Sequence, residues 1–107
     1  MKAYILGSYS ASGLKGVIAS GYAGRREAID KLCSSLDMVI HDVAFTRGEF
    51  DVTVTFEVDS EESALGLLLA VKSSGGFDKA ICLTELDIDV VAEHARKAGA
   101  SYVPPNA

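Results

Sequence analysis

The eight residues Asp51 to Val58, DVTVTFEV, alternate without a break: Val52, Val54, Phe56 and Val58 on one side, Asp51, Thr53, Thr55 and Glu57 on the other. A β-strand turns successive side chains to opposite faces, so an extended strand gathers the apolar groups on one side. That greasy side must lie under helices, and the threonine-bearing side must meet water, a ligand or a second molecule. Any fold for this chain therefore needs a sheet with two unlike faces.

The segments around this strand supply the rest of such a fold. Ala3 to Tyr9 (AYILGSY) is short, aromatic and β-branched and stops at a Ser/Gly cluster, which predicts a first strand. From Arg25 the spacing of Ala28, Ile29, Leu32, Cys33 and Leu36 predicts a first long helix. Val39 to Thr46 (VIHDVAFT) is a second β-type run, joined to Asp51–Val58 through Arg47-Gly48-Glu49-Phe50 as a hairpin with its turn at Gly48. Asp59-Ser60-Glu61-Glu62 marks a helix start that continues through Ala64, Leu65, Leu68, Leu69 and Val71 and stops at Gly75-Gly76. Gly66 inside that helix predicts close approach to a neighbour. Lys79 to Leu86 is a fourth strand, and Val90 to Ala98 a last helix, capped by Asp87 or Asp89 and closed by Gly99.

The order β-α-β-β-α-β plus a terminal helix is the split βαβ, ferredoxin-like α+β arrangement: an antiparallel sheet of four strands with two helices on one face. Residues 1–99 form a single domain, and 100–107, with paired prolines in SYVPPNA, form an extended tail. A chain of 107 residues that is 49% hydrophobic has more apolar surface than so small a domain can hide alone, so a homodimer or higher oligomer is expected. A net charge of −5 makes nonspecific attraction to nucleic acid or anionic lipid unfavourable. The longest apolar run, Ala64 to Val71, is far too short to span a membrane. The start MKAYILGSY reads as a strand and not as a signal peptide, which makes a cytoplasmic location the expectation. Cys33 and Cys82 lack CxxC spacing and read as small buried hydrophobes.

At the hairpin, Thr46-Arg47-Gly48-Glu49-Phe50-Asp51, the alternating Val-rich strand and the acidic helix start Asp59 to Glu62 resemble the GYD-domain family, named for a Gly, Tyr, Asp signature at this place. The opening is similar too, with a Tyr-containing strand followed by Ser10 and Gly13. The resemblance covers roughly Met1 to Leu86. It implies a ferredoxin-like domain that pairs sheet to sheet in a dimeric α+β barrel, with no established biochemical role for most members. Phe50 stands where the signature has Tyr, which removes any phenolic hydroxyl there, and Ile18 to Gly24 is richer in glycine than the family pattern.

Candidate sites are few. The segment GSYSASGLKGVIASGYAGRR (Gly7 to Arg26) lacks the Gly-Lys-Ser/Thr ending of a phosphate loop and the G-x-G-x-x-G of a dinucleotide fold. It reads as a flexible corner, with Ser8 to Gly24 as a gate over a ligand cavity. Arg25 and Arg26, with the amides opening the helix near them, are the alternative: a hold on one carboxylate or phosphate. On the polar side of the sheet, Tyr4, Thr53 and Thr55 are candidate lining residues, joined by His41 or Asp42 according to the hairpin register, since a one-residue slip exchanges them beside Thr55. Histidine exchanges a proton near neutral pH, which makes His41 the candidate general acid or base. His94, beside Arg96 and Lys97, reads as part of a solvated helix face. Tyr9 and Tyr22 are candidates for an aromatic wall with Tyr4, and Asp51 is expected to pair with Arg47 and hold the turn. No metal site is expected, because adjacent strand residues such as His41 and Asp42 diverge and no set of three ligands converges. No cofactor motif is present.

These features give the expected function: a small-molecule-binding homo-oligomer with a cavity between paired sheets, in which any chemistry would be a metal-independent proton transfer on a small organic substrate. The competing reading is a non-catalytic structural or protein-interaction module with a filled interface. A third, an acidic regulatory partner of another protein, rests on charge alone.

Overall fold

The computed structural model describes residues 1–106. The elements run β1 (Lys2–Tyr9), α1 (Ala11–Ser35), β2 (Val39–Phe45), β3 (Val52–Glu57), α2 (Glu61–Ser73), β4 (Phe77–Thr84) and α3 (Ile88–Ser101). The four strands make one antiparallel sheet in the order β2-β3-β1-β4, the ferredoxin-like topology expected. The greasy side of β3 does lie under the helices. Phe56 is fully enclosed, and Val52 and Val58 are buried with Ala3 and Ile5 of β1, Cys33 of α1, and Ala64 and Leu67 of α2.

The glycine-rich segment is helical, which overturns the flexible corner and the gate from Ser8 to Gly24. Helix α1 starts at Ala11, where the Ser10 hydroxyl accepts the Gly13 N–H at 3.1 Å. Each glycine costs a helix about 1 kcal/mol against alanine. Tertiary contact offsets that cost at the helix start. The Ser10 N–H donates to the Gly76 carbonyl at 2.9 Å, its hydroxyl donates to the Gly75 carbonyl at 2.8 Å, and a Cβ on Gly13 would lie 2.0 Å from the Gly76 oxygen. Helix and turn meet backbone to backbone, which only glycine permits. Sequence periodicity responds to large apolar side chains and carries no signal for such a contact. The helix breaks once, at Gly21 (φ 66°, ψ −174°), a conformation glycine alone adopts readily.

Other boundaries shift for local reasons. Ser60, not Asp59, caps α2, its hydroxyl accepting the Ser63 N–H at 3.2 Å. Leu67 takes the buried position and leaves Leu65 and Leu69 exposed, and among the described residues nothing beyond Gly66's own stretch of helix comes within 4 Å of where a Cβ on it would stand. Asp87 caps α3, which runs through Gly99 to Ser101 because the flanking alanines sustain it. No side chain of α3 is buried; Ile88, Val90 and Val91 stand exposed. With that helix standing off, the molecule measures 56 × 31 × 23 Å and its radius of gyration is 17.5 Å, against about 13 Å for a compact chain of this size. Among the described residues no helix is long and apolar enough to cross a membrane.

At the hairpin, Gly48 (φ 136°) supplies the turn as expected. Asp51 does not hold Arg47. Its carboxylate accepts the Tyr9 N–H at 2.9 Å and its own N–H donates to the Gly7 carbonyl at 2.8 Å, so it clamps the end of β1 to the turn.

The contrast between two α1 glycines is testable by thermal melts of single variants. Gly13→Ala is expected to lose about 1–3 kcal/mol, because the helix must shift away from Gly76. Gly16→Ala, whose Cβ would meet nothing within 4 Å, is expected to gain about 0.5–1 kcal/mol.

Candidate functional site

Cross-strand pairing arranges the uncovered sheet face in rows, since residues directly opposite one another share a face. One row reads Asp42, Thr55, Tyr4, Leu83 from β2 to β4; the next reads Ala44, Thr53, Leu6, Ile81. Tyr4, Asp42, Thr53 and Thr55, expected together from the sequence, are brought together. Leu6, Ile81 and Leu83 complete the face. β1 and β4 carry apolar residues on both sides, so alternation could not assign them. Tyr4, Leu6, Thr53, Thr55 and Ile81 are half-buried, whereas Leu83 is 52% and Val39 59% exposed.

The register resolves the choice between His41 and Asp42 by admitting both. Asp42 is the partner of Thr55, and β2 bulges between Ile40 and Asp42, leaving His41 as the extra residue. The bulge resets the alternation. His41 reaches the same open face, where its Nε2 lies 3.0 Å from Glu57 Oε1, and the expectation that the two side chains diverge is corrected. Glu57 also sits 3.4 Å from the N-terminal amine through Oε2, and Lys2 is its cross-strand partner on β1. The hydrogen bond from His41 is the main cause that holds the Glu57 carboxyl below its ordinary range; desolvation opposes it next, and the hydrogen bond and charge of the amine add smaller pulls downward. A histidine held by a carboxylate at the rim of an apolar and hydroxyl-bearing face has the parts of a general base and its orienting partner. Glu57 was missed because it is separated from His41 in sequence and only the hairpin register joins them. Among the described residues no group of three or more His, Cys, Asp or Glu side chains could hold a metal ion.

The arginines do not act as a pair. Neighbours on a helix point about 100° apart. Arg26 turns outward, its Nε 3.1 Å from Asp30 and its Nη1 3.4 Å from the Tyr22 hydroxyl, while Arg25 turns inward beside Tyr9. The shared anion hold is thus divided, and the helix resumes after Gly21 instead of opening at Arg25. The three tyrosines also separate. Tyr4 is on the open face, Tyr9 stacks on Phe77 on the helix side with ring centroids 4.6 Å apart, and Tyr22 meets the Phe45 ring edge-on at 5.9 Å. His94 is exposed on α3, as expected.

Both thiols are poor nucleophiles here. Burial pushes the Cys33 thiol up, aided by the negative charge of Asp30, and burial alone pushes up Cys82. At the hairpin tip Lys79 pairs with Glu49 and lies 5.0 Å over the Phe50 ring, so the position that holds Tyr in the signature serves here as an aromatic platform.

No curated protein and no solved structure matches the chain. The family model for the GYD domain matches residues 4–94. That span takes in β1 from Tyr4 onward, the whole of β2, β3 and β4, the bulge at His41, the Gly48 turn and the start of α3. The chain belongs to the GYD-domain family.

Proposed function

We propose that the protein is a homodimeric small-molecule-binding domain, in which the open sheet face meets the same face of a second copy and encloses a ligand between them. The observation that carries this reading is the pair of rows across that face. Seven of their eight positions, Leu83, Tyr4, Thr55, Ala44, Thr53, Leu6 and Ile81, are uncharged, with Asp42 as the single ionised group in the two rows. A sheet face meant for water is polar along its whole length; this one is apolar with hydroxyls interspersed, the composition of a ligand-lining surface. In an enclosed space the hydroxyls of Tyr4, Thr53 and Thr55 orient a small organic molecule by hydrogen bonds. Proton transfer to or from it falls to His41, with Glu57 holding the imidazole.

The non-catalytic assembly reading has one observation of its own. Helix α3 presents Ile88, Val90 and Val91 to solvent and contributes nothing to the core, as expected of an element that packs on another copy. The two readings share the dimer and differ in whether the interface is hollow.

Sedimentation analysis is expected to show a dimer for the native chain and a folded monomer for Leu83→Asp, whose side chain is too exposed to matter within one chain; a native monomer would overturn the reading. Glu57 makes a separate pH prediction. Because its folded value lies below the ordinary 4.5, its stabilisation is present above 4.5 and is lost as pH falls through the lowered value. Denaturant melts should therefore show Glu57→Gln less stable than native at neutral pH, with the difference closing below pH 4.5. A difference independent of pH would mean that the carboxylate charge does not hold His41.

A further inference from the structure

Between α1 and the end of α2 lies a cleft of about 610 Å³, within the range of small-molecule sites. It exists because α1 turns Gly13, Gly16, Ser20 and Gly24 toward α2, at helical spacing, where larger side chains would fill the gap. The cleft continues inward. A smaller cavity of about 80 Å³ shares Tyr9, Arg25, Leu32, Val71 and Phe77 with it and ends among Ile5, Val54 and Phe56 of the core. Gly7 permits this junction, since a Cβ there would strike the Phe77 ring at 2.6 Å. The stacked Tyr9 and Phe77 rings form one wall where outer and inner spaces meet.

Arg25 stands at that junction and is the single charged side chain lining either space among the described residues. Its Nε is shut away from solvent and finds no hydrogen-bond partner among the described residues. An arginine fork with an unsatisfied buried donor is costly unless an acceptor arrives, and a carboxylate matches the fork through two parallel hydrogen bonds. Burial meanwhile pushes the Tyr9 phenol up, against the pull of the Arg25 guanidinium, so the hydroxyl beside it stays neutral and able to donate. One positive charge, the neutral Tyr9 hydroxyl beside it, the hydroxyls of Ser20 and Ser74 and otherwise apolar or small walls suit a monoanion with an apolar body. A phosphate dianion would lack a second cation in a chain whose net charge is −5.

We propose that this cleft binds a monocarboxylate with a medium-length apolar body, its carboxylate on Arg25 and its apolar part directed toward the inner cavity past Tyr9 and Phe77. The site is complete in one chain and stands apart from the sheet-face reading.

Titration calorimetry with octanoate and 1-octanol tests it directly. Octanoate is expected to bind once per chain, with the alcohol about tenfold or more weaker because it forfeits the charge-assisted pair. Arg25→Met, which keeps the bulk and removes the fork, is expected to weaken octanoate about tenfold and leave the alcohol unchanged. Should that variant misfold, Arg25→Lys keeps the charge but loses the bidentate geometry and is expected to weaken octanoate by a smaller factor. Gly16→Leu, which has open space ahead of it, is expected to narrow the cleft and weaken both about tenfold. Absence of octanoate binding, equal affinity for acid and alcohol, or indifference to Gly16→Leu would each overturn the proposal. Binding that persists in Leu83→Asp separates this site from the space between sheets; binding that vanishes with the dimer places the acid at the sheet face and overturns the cleft.

Discussion

Strand β1 is paired along both edges, from Lys2–Gly7 to β3 and from Ala3–Tyr9 to β4, and it carries the buried residues Ala3, Ile5 and Gly7. Each later half of the chain folds back onto it: the hairpin on one side, the α2–β4 unit on the other. Asp51 clamps its far end and Glu57 its near end, while Gly7 leaves room for the Phe77 ring beside it. A change in the alternation of β1 would displace core, open face and cleft together, because a one-residue slip exchanges Ile5 with Leu6 and turns Tyr4 inward.

The two faces of this strand lead to two unlike surfaces. On the open side the rows through Tyr4 and Leu6 make a broad patch, bordered by Asp42 and His41 on β2 and by Glu57 on β3 with Lys2 opposite it on β1. On the helix side, Tyr9 meets Phe77 and Arg25 where α1 is built of small residues. One surface needs a second molecule to become a cavity, while the other is a cavity already. Their separation across the sheet means that a ligand in either has no direct contact with the other.

Most of the architecture was legible because the decisive segments are periodic. DVTVTFEV reports its buried side directly, and the Ser/Gly punctuation around the hairpin and α2 marks their limits. What escaped has a common cause. The bulge at His41 is one residue that breaks no pattern strongly enough to be seen, yet it brings His41 and Asp42 to one face. The first half of α1 has too few large apolar residues to show a helical stripe; its helix rests on Ser10 and Gly13 meeting Gly75-Gly76, a contact between segments far apart in the chain. In the sequence Arg25 and Arg26 read as one joint anion hold, and their division between an inward and an outward face depends on that same helix.

The central position of β1 also has a temporal side. Within this domain the first strand to be made is among the last to be paired on both edges, since the Lys2 N–H finds the Glu85 carboxylate 83 positions later. At ordinary translation rates the edge of β1 that pairs with β4 stays open for on the order of ten seconds. Pairings of such separation also form slowly once the chain is free. The hairpin between β2 and β3 is local and can form early, presenting the β3 edge as the template on which β1 first docks. The order of assembly thus runs against the order of synthesis, and β1 keeps one apolar, unpaired edge until β4 arrives.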